Sequence, residues 1–249
     1  MAGVDKLVPF MSRFAHAPPL TNARGAFSKS LAEYCVAAIL YFNKQISRLE
    51  ENRRARMWDK FTMNTLSGKT VGFLGFGSIA QSTAALCSSL NMKVIGASRS
   101  GESSKLAERI YSTSDSAGMS EFLLQSDYLV CSLPSTPLTR HYCSSTLFSS
   151  MKRSAVFISL GRGDVVDESS LVSALKNGEI AGAALDVFET EPLPQSSELW
   201  AFDNVLISSH NADWIASYLE DSVDIFERNL EKIFKGEKLE NLVDISAGY

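Results

Sequence analysis

The sequence predicts an α/β domain built on a doubly wound parallel sheet. Three observations predict it. From Gly68 onward, short continuous apolar runs alternate with helical segments. A glycine-rich turn joins the first apolar run to the helix after it. The chain is also long and apolar enough for a large core, with 249 residues, 45% hydrophobic and 21% charged. This composition excludes a disordered or fibrous chain. Lys+Arg 24 against Asp+Glu 28 leaves a formal charge of −4, so no basic surplus exists to meet a nucleic-acid backbone. No apolar run is long enough for a membrane span. Cys35, Cys87, Cys131 and Cys143 stand far apart with no CxxC. They point to reduced thiols in a reducing, cytoplasmic setting, with no disulfide frame and no metal site. The first residues lack the basic-then-apolar pattern of a signal peptide.

Residues 1–26 carry Pro9, Pro18, Pro19 and Gly25 and read as irregular. Residues 28–49 read as one helix. Its stretch 31–42 is apolar nearly all round, which predicts burial against another domain or subunit, and a homodimer through residues 32–42. The charged stretch 50–56 reads as a solvated helix face. Strands are expected at 71–74, 93–97, 128–131, 155–159, 181–185 and 205–208. Helices are expected at 79–90, 116–125, 145–151 and 168–177, the last with Asp167 as N-cap and Gly178 as C-cap. Residues 98–104 read as a Ser-rich loop, and a final helix spans about 214–234, stopped by Gly236.

Gly75-Phe76-Gly77-Ser78-Ile79-Ala80 follows the first strand and opens a helix, and a second strand ends about twenty residues on. That context makes the pattern a dinucleotide fingerprint of the Rossmann type. Gly75 allows the tight turn, Gly77 lets backbone approach a pyrophosphate, and Ala80 is small enough for helix–strand packing. The amides of Ser78 and Ile79 then point at phosphate oxygens at the positive helix end. Gly68-Lys69-Thr70 precedes the strand, and Met63 stands where a triphosphate loop needs glycine, so that motif is excluded. After the second strand comes Ser98-Arg99-Ser100, with no carboxylate before Glu102. A carboxylate there would repel a ribose 2′-phosphate by about 4 kcal/mol at ~4 Å and an effective dielectric of ~20. Arg99 attracts it instead. The expected cofactor is NADP, with NAD as the alternative.

Arg162, between Gly161 and Gly163, follows the strand at 155–159 and can reach beyond the sheet edge, where a guanidinium suits a carboxylate. Asp186 and Glu191 follow the next strand, and His210 the one after. Only three histidines exist; His16 lies in the irregular start and His141 in a polar turn. A carboxylate near His210 favours its imidazolium form, which can protonate a carbonyl oxygen as hydride attacks the carbon.

These residues resemble the D-isomer-specific 2-hydroxyacid dehydrogenases, the family of phosphoglycerate dehydrogenase and the glyoxylate/hydroxypyruvate reductases. The resemblance runs in order through Thr21-Asn22-Ala23-Arg24-Gly25, Leu31-Ala32-Glu33-Tyr34, the 75–80 turn, Arg162-Gly163 with Val166-Asp167-Glu168, Asp186-Val187-Phe188 with Glu191-Pro192-Leu193, His210, and the tail from Asn241 to Tyr249. It implies reduction of a small 2-oxo acid to the D-2-hydroxy acid. It implies that Arg162 holds the substrate carboxylate and carbonyl, that Glu191 pairs with His210 as the acid/base, and that Asp186 bonds the nicotinamide amide. It implies Leu133, Pro134 and Thr139 on the adenosine and pyrophosphate side. Leu160, Gly161 and Ala212 fall on the nicotinamide side, with Arg162 and His210 at the same end. Ser159 departs from the family's frequent Asn, and Asn211-Ala212 from its Gly; both touch cofactor packing.

The resemblance further implies two lobes. Ala2-Gly3-Val4-Asp5 looks like the end of a GxGxD loop from the first, flavodoxin-like substrate lobe. Residues 1–26 are then a remnant of that lobe, 27–212 the dinucleotide-binding domain, and 213–249 a helix and tail returning toward it. With one wall of the cleft absent, water exclusion and substrate orientation suffer, and apolar surfaces of the first and last helices lie exposed or covered by a partner. A second reading stays open: a catalytically weak dinucleotide-binding module for dimerisation or regulation, like the family's corepressor relatives. A short-chain reductase has no support, since no Tyr-x-x-x-Lys pair follows a strand.

Overall fold

Strands that are apolar at every position need cover on both faces. The computed structural model, which describes residues 3–14, 16 and 18–249, provides it. Helices α1 (Val8–Met11), α2 (Ser28–Asn43) and α3 (Ile46–Ala55) come first. They are followed by β1 (Thr70–Leu74), α4 (Ser78–Ser89), β2 (Lys93–Ser98), β3 (Arg109–Ser112), α5 (Ser116–Gln125) and β4 (Tyr128–Cys131). The chain continues through α6 (Ser145–Ser149), β5 (Val156–Ser159), α7 (Glu168–Lys176), β6 (Gly182–Leu185), β7 (Val205–Ile207) and α8 (Tyr218–Lys235). Among the described residues the strands form one parallel sheet in the order β3-β2-β1-β4-β5-β6-β7. Strand order turns back between β1 and β4, which places a crevice beyond their carboxyl ends.

Side-chain alternation divides the core between the two faces. Val71, Phe73, Val130, Ile158 and Ala184 pack on one side with Cys35, Ile39, Ala84 and Cys87 of α2 and α4. Leu74, Leu129, Phe157 and Leu185 pack on the other with Phe122, Phe148 and Leu171 of α5, α6 and α7. So α2 buries one face against its own sheet and α4. The strip left outside it includes Val36 and Leu40, with Leu86 and Leu90 beside them.

Three expectations need correction. The helix at 28–49 breaks at Gln45, whose φ of 51° is left-handed. The cause is tertiary: segment 57–67 runs back past the break, where Thr62 O accepts from Gln45 Nε2 (3.2 Å) and Asn64 O from Lys44 Nζ (2.6 Å). Strand β3 was not anticipated. It is a short edge strand of mixed polarity, paired only with β2, and Tyr111 alone is buried. The last helix begins at Tyr218 rather than 214, because residues 211–217 form turns and Tyr218 stacks on Phe27 at 4.3 Å. On its outer face Leu219, Phe226, Ile233 and Phe234 are exposed, as are Phe10 and Phe14 near the start. Of the looked-for GxGxD remnant, Ala2 lies outside the described residues.

The cap of α7 is as expected. Asp167 accepts from Ser170 N (3.2 Å) and from the hydroxyls of Ser169 and Ser170 (2.7 Å each). The serine bonds hold its carboxyl at about 2, below the ordinary 3.8. A lowered pKa means the cap stabilises fully above the ordinary value and fades as pH falls toward 2. Asp167→Ala is expected to cost about 1 kcal/mol at pH 7. In urea melts its gap from the parent should narrow by pH 3; an unchanged gap at low pH would argue against the charged cap.

Candidate active site

The site grows from the loops at the carboxyl ends of β1, β4, β5, β6 and β7. After β1, Gly75 adopts φ +84°, and a Cβ there would come within 3.1 Å of Leu133. Nothing lies within 4 Å of where a Cβ on Gly77 would be. The N–H groups of Ser78 and Ile79, the first residues of α4, have no protein acceptor among the described residues. Open space in front of free amides at a helix start fits a dinucleotide pyrophosphate.

Close backbone approaches draw the neighbouring loops together. A Cβ at Gly161 would lie 2.4 Å from Leu133 O, so the turn after β5 rests on the one after β4. Ser135 Oγ ties the same two turns by donating to Asp164 Oδ2 (2.6 Å). Thr139 turns its hydroxyl inward, donating to Pro134 O (2.6 Å), so it shapes the 134–139 turn. Leu160 is buried, while Leu133 and Pro134 are half-buried at the crevice. Ser159 is fully buried and its Oγ has no hydrogen-bond partner among the described residues.

After β2, Ser98 Oγ accepts from Gly101 N (3.1 Å) and Ser100 Oγ from Glu102 N (3.3 Å), folding the turn and leaving Arg99 exposed at its tip.

Arg162, Glu191 and His210 sit on three adjacent loops. Gly163 fits because a Cβ would fall 1.8 Å from Phe188 O, which brings the Arg162 turn onto the loop after β6. In that loop Phe188 N donates to Glu191 Oε1 (3.1 Å), while Glu191 Oε2 lies 2.8 Å from His210 Nδ1. Both side chains of this pair are a little over one-third exposed. The Glu191 loop is braced by a reciprocal contact, Glu168 N to Glu189 Oε1 (3.0 Å) and Glu189 N to Glu168 Oε1 (2.5 Å). His141, set aside on sequence, lies 3.2 Å from Glu189 and adds to that brace.

His210 has a left-handed backbone, φ 51°, a conformation that costs a non-glycine residue roughly 1–2 kcal/mol. Asp186 holds it there. Its backbone oxygen accepts from His210 N (2.8 Å), and its carboxylate accepts from Asn211 N, Ala212 N and Ser208 Oγ at 2.5–3.3 Å. Asp186 is only 2% exposed, so among the described residues this carboxylate chiefly shapes the loop that aims His210. Sequence reasoning missed the next link: Tyr34 Oη lies 2.6 Å from Ser208 Oγ. Ser208 donates to a carboxylate, so Tyr34 donates to Ser208. Burial, reinforced by the Asp186 charge, pushes the Tyr34 phenol above its ordinary value and keeps it a donor. Ser30 Oγ donates to Ala212 O (2.6 Å), pinning the same loop to α2. Ser30 and Tyr34, one turn apart on a helix that is mostly apolar over 31–42, were the available signal.

Arg162 donates through Nε to Asp5 Oδ1 (3.1 Å) and through Nη1 to Gly161 O (3.0 Å). A Cβ on Gly3 would fall 1.4 Å from Nη2, so the backbone of residue 3 lies against the guanidinium. Burial alone would raise the Asp5 carboxyl, but the bond and charge of Arg162 hold it below its ordinary value. A carboxylate is thus already seated on this arginine.

Among the described residues no group of His, Cys, Asp and Glu could hold a metal, and no helix is long and apolar enough to cross a membrane.

Residues 36–212 match the family model of the D-isomer specific 2-hydroxyacid dehydrogenase NAD-binding domain. A glyoxylate reductase of Thermofilum pendens is 34% identical over 233 residues, 90% of this chain and 68% of its own length. The solved D-isomer specific 2-hydroxyacid dehydrogenase of Xanthobacter autotrophicus, in complex with NADPH and MES, superposes with a TM-score of 0.88 at 33% identity over all of both chains. The NADPH-dependent glyoxylate/hydroxypyruvate reductase of Sinorhizobium meliloti, in complex with NADP and sulfate, gives 0.88 at 31% identity over all of this chain and 78% of its own. With its sheet order, its open glycine turn and its Arg–Glu–His loops, the chain belongs to the D-isomer specific 2-hydroxyacid dehydrogenase family.

Proposed function

We propose that this NAD(P)-dependent oxidoreductase reduces a small 2-oxo acid of the glyoxylate or hydroxypyruvate kind to the D-2-hydroxy acid, with His210 as proton donor. The observation that carries the reading is the 2.8 Å pair of Glu191 and His210, on a loop adjoining the one that carries Arg162. Arg162 binds the substrate carboxylate and orients its carbonyl. The reduced nicotinamide, when bound, supplies the hydride. His210 gives its proton to the carbonyl oxygen, and Glu191, 2.8 Å from Nδ1, orients the ring so that Nε2 faces the substrate. Asp186 and Tyr34 keep the His210 loop in its left-handed turn. Residues 27–212 serve as the dinucleotide-binding unit, residues 1–26 as a remnant of the substrate lobe, and 213–249 as a helix and tail returning toward it.

NADPH is the preferred cofactor in this reading. Support comes from exposed Arg99 after β2, from the lack of a carboxylate within the 98–101 turn itself, and from the NADP(H) complexes of the similar Xanthobacter and Sinorhizobium structures. The test is steady-state oxidation of NADPH with glyoxylate and with hydroxypyruvate. Turnover with KM for NADPH at least tenfold below that for NADH is expected. Cofactor binding without turnover on either acid would favour the module reading instead.

A further inference from the structure

The segment after Val243 reaches the turns that follow β2 and β4. Val243 is buried and its N–H donates to Leu20 O (2.8 Å), which anchors the segment's start. Asp244 then closes a turn, accepting from Ser246 N, Ser246 Oγ and Ala247 N at 2.6–3.1 Å, while Gly248 N donates to Asp244 O (2.8 Å). Gly248, at φ +87°, lies against Thr136 in the turn after β4; a Cβ there would be 3.4 Å from Thr136 Cγ2. The Tyr249 ring lies under the Arg99 guanidinium, 5.0 Å from Cζ to centroid, in the turn after β2. Strands β2 and β4 flank β1, so the segment bridges the two loops on either side of the Gly75–Ser78 turn. Among the described residues no N–H of Arg99 has a hydrogen-bond acceptor; its guanidinium lies on the ring face, and its charge helps hold the Asp244 carboxyl below its ordinary value.

We propose that Tyr249 is a specificity-determining residue: its ring holds the Arg99 guanidinium at the adenosine end of the crevice, ready for a ribose 2′-phosphate. An exposed arginine loses much rotamer freedom when it binds an anion. Stacking on an aromatic face fixes the plane of the guanidinium beforehand and leaves its N–H edges free for phosphate oxygens. The inference rests on the NADPH reading above, and the test separates the two.

The experiment titrates NADPH and NADH into the full chain by nicotinamide fluorescence, for the parent, Tyr249→Ala, Tyr249→Leu, Tyr249→Phe and Arg99→Ala. Tyr249→Ala and Tyr249→Leu are expected to weaken NADPH about two- to fivefold and leave NADH unchanged, with Tyr249→Phe like the parent. Equal weakening of both cofactors by Tyr249→Ala, or a Tyr249→Leu that matches the parent, would make the ring mere packing and overturn the proposal. Tighter binding in Tyr249→Ala would overturn it too, since the segment would then be covering the site. If Arg99→Ala abolishes the preference and the Tyr249 variants leave NADPH affinity unchanged, this inference alone fails. If Arg99→Ala leaves an NADPH preference intact, its assignment to Arg99 fails and this inference with it; if the parent itself shows no preference for NADPH, the NADPH reading fails.

Discussion

His210→Ala is expected to lower kcat with a 2-oxo acid by about 10²- to 10⁴-fold, the usual contribution of a placed proton donor. The argument is geometric. His210 is held in a strained turn by Asp186, one ring nitrogen faces Glu191 at 2.8 Å, and over a third of the side chain is accessible. A buried structural histidine would have both nitrogens satisfied within the protein. Here Nδ1 alone has a partner among the described residues, leaving Nε2 for a substrate oxygen. Glu191→Gln keeps the shape and removes the charge, so it should lower kcat less than His210→Ala does. The measurements are steady-state kinetics and a parallel cofactor titration. Cofactor affinity should stay within about threefold; a loss of affinity that matches the loss of kcat would mean the imidazole holds the dinucleotide and does not move the proton.

Arg162→Ala should reduce kcat/KM by roughly 10²- to 10³-fold, the scale seen when one donor to a developing oxyanion is removed. Both KM and kcat are expected to suffer, because in the proposed reaction the guanidinium binds the carboxylate and orients the carbonyl. Arg162→Lys should rescue little, since an ammonium cannot reproduce the planar fork. Asp5 sharpens the test. It occupies the Nε edge of Arg162 at 3.1 Å, so a purely structural arginine would make Asp5→Asn as damaging as Arg162→Ala. Asp5→Asn is instead expected to stay within about tenfold of the parent. The Asp5 carboxyl is lowered in the folded chain. Its ion pair therefore contributes above the ordinary carboxylate range and is lost as pH falls through the folded value. Assays near pH 7 thus compare variants with the pair intact.

Much of this was legible before any coordinates. Strands covered on both faces must be apolar at every position, so β1, β4, β5 and β6 appear as uninterrupted runs. β3 does not, because an edge strand with one buried residue has no such requirement. The Gly75–Ala80 turn was legible because only glycine suits φ +84° at 75. The strained turn at His210 was not, because no glycine marks it. Its cause is a buried carboxylate just after β6 and a phenol on α2, all far apart along the chain.

The sequence by itself determined the layering, the family and the chemical types of the candidate catalytic groups, since these follow from local periodicity and from residues set at strand ends. Tertiary structure decided which face of α2 is covered, where its helix stops, how Asp5 meets Arg162, and that Tyr249 lies beneath Arg99. Each of those is a contact between segments distant in the chain, and its energy exists only once the sheet has brought both partners to one edge.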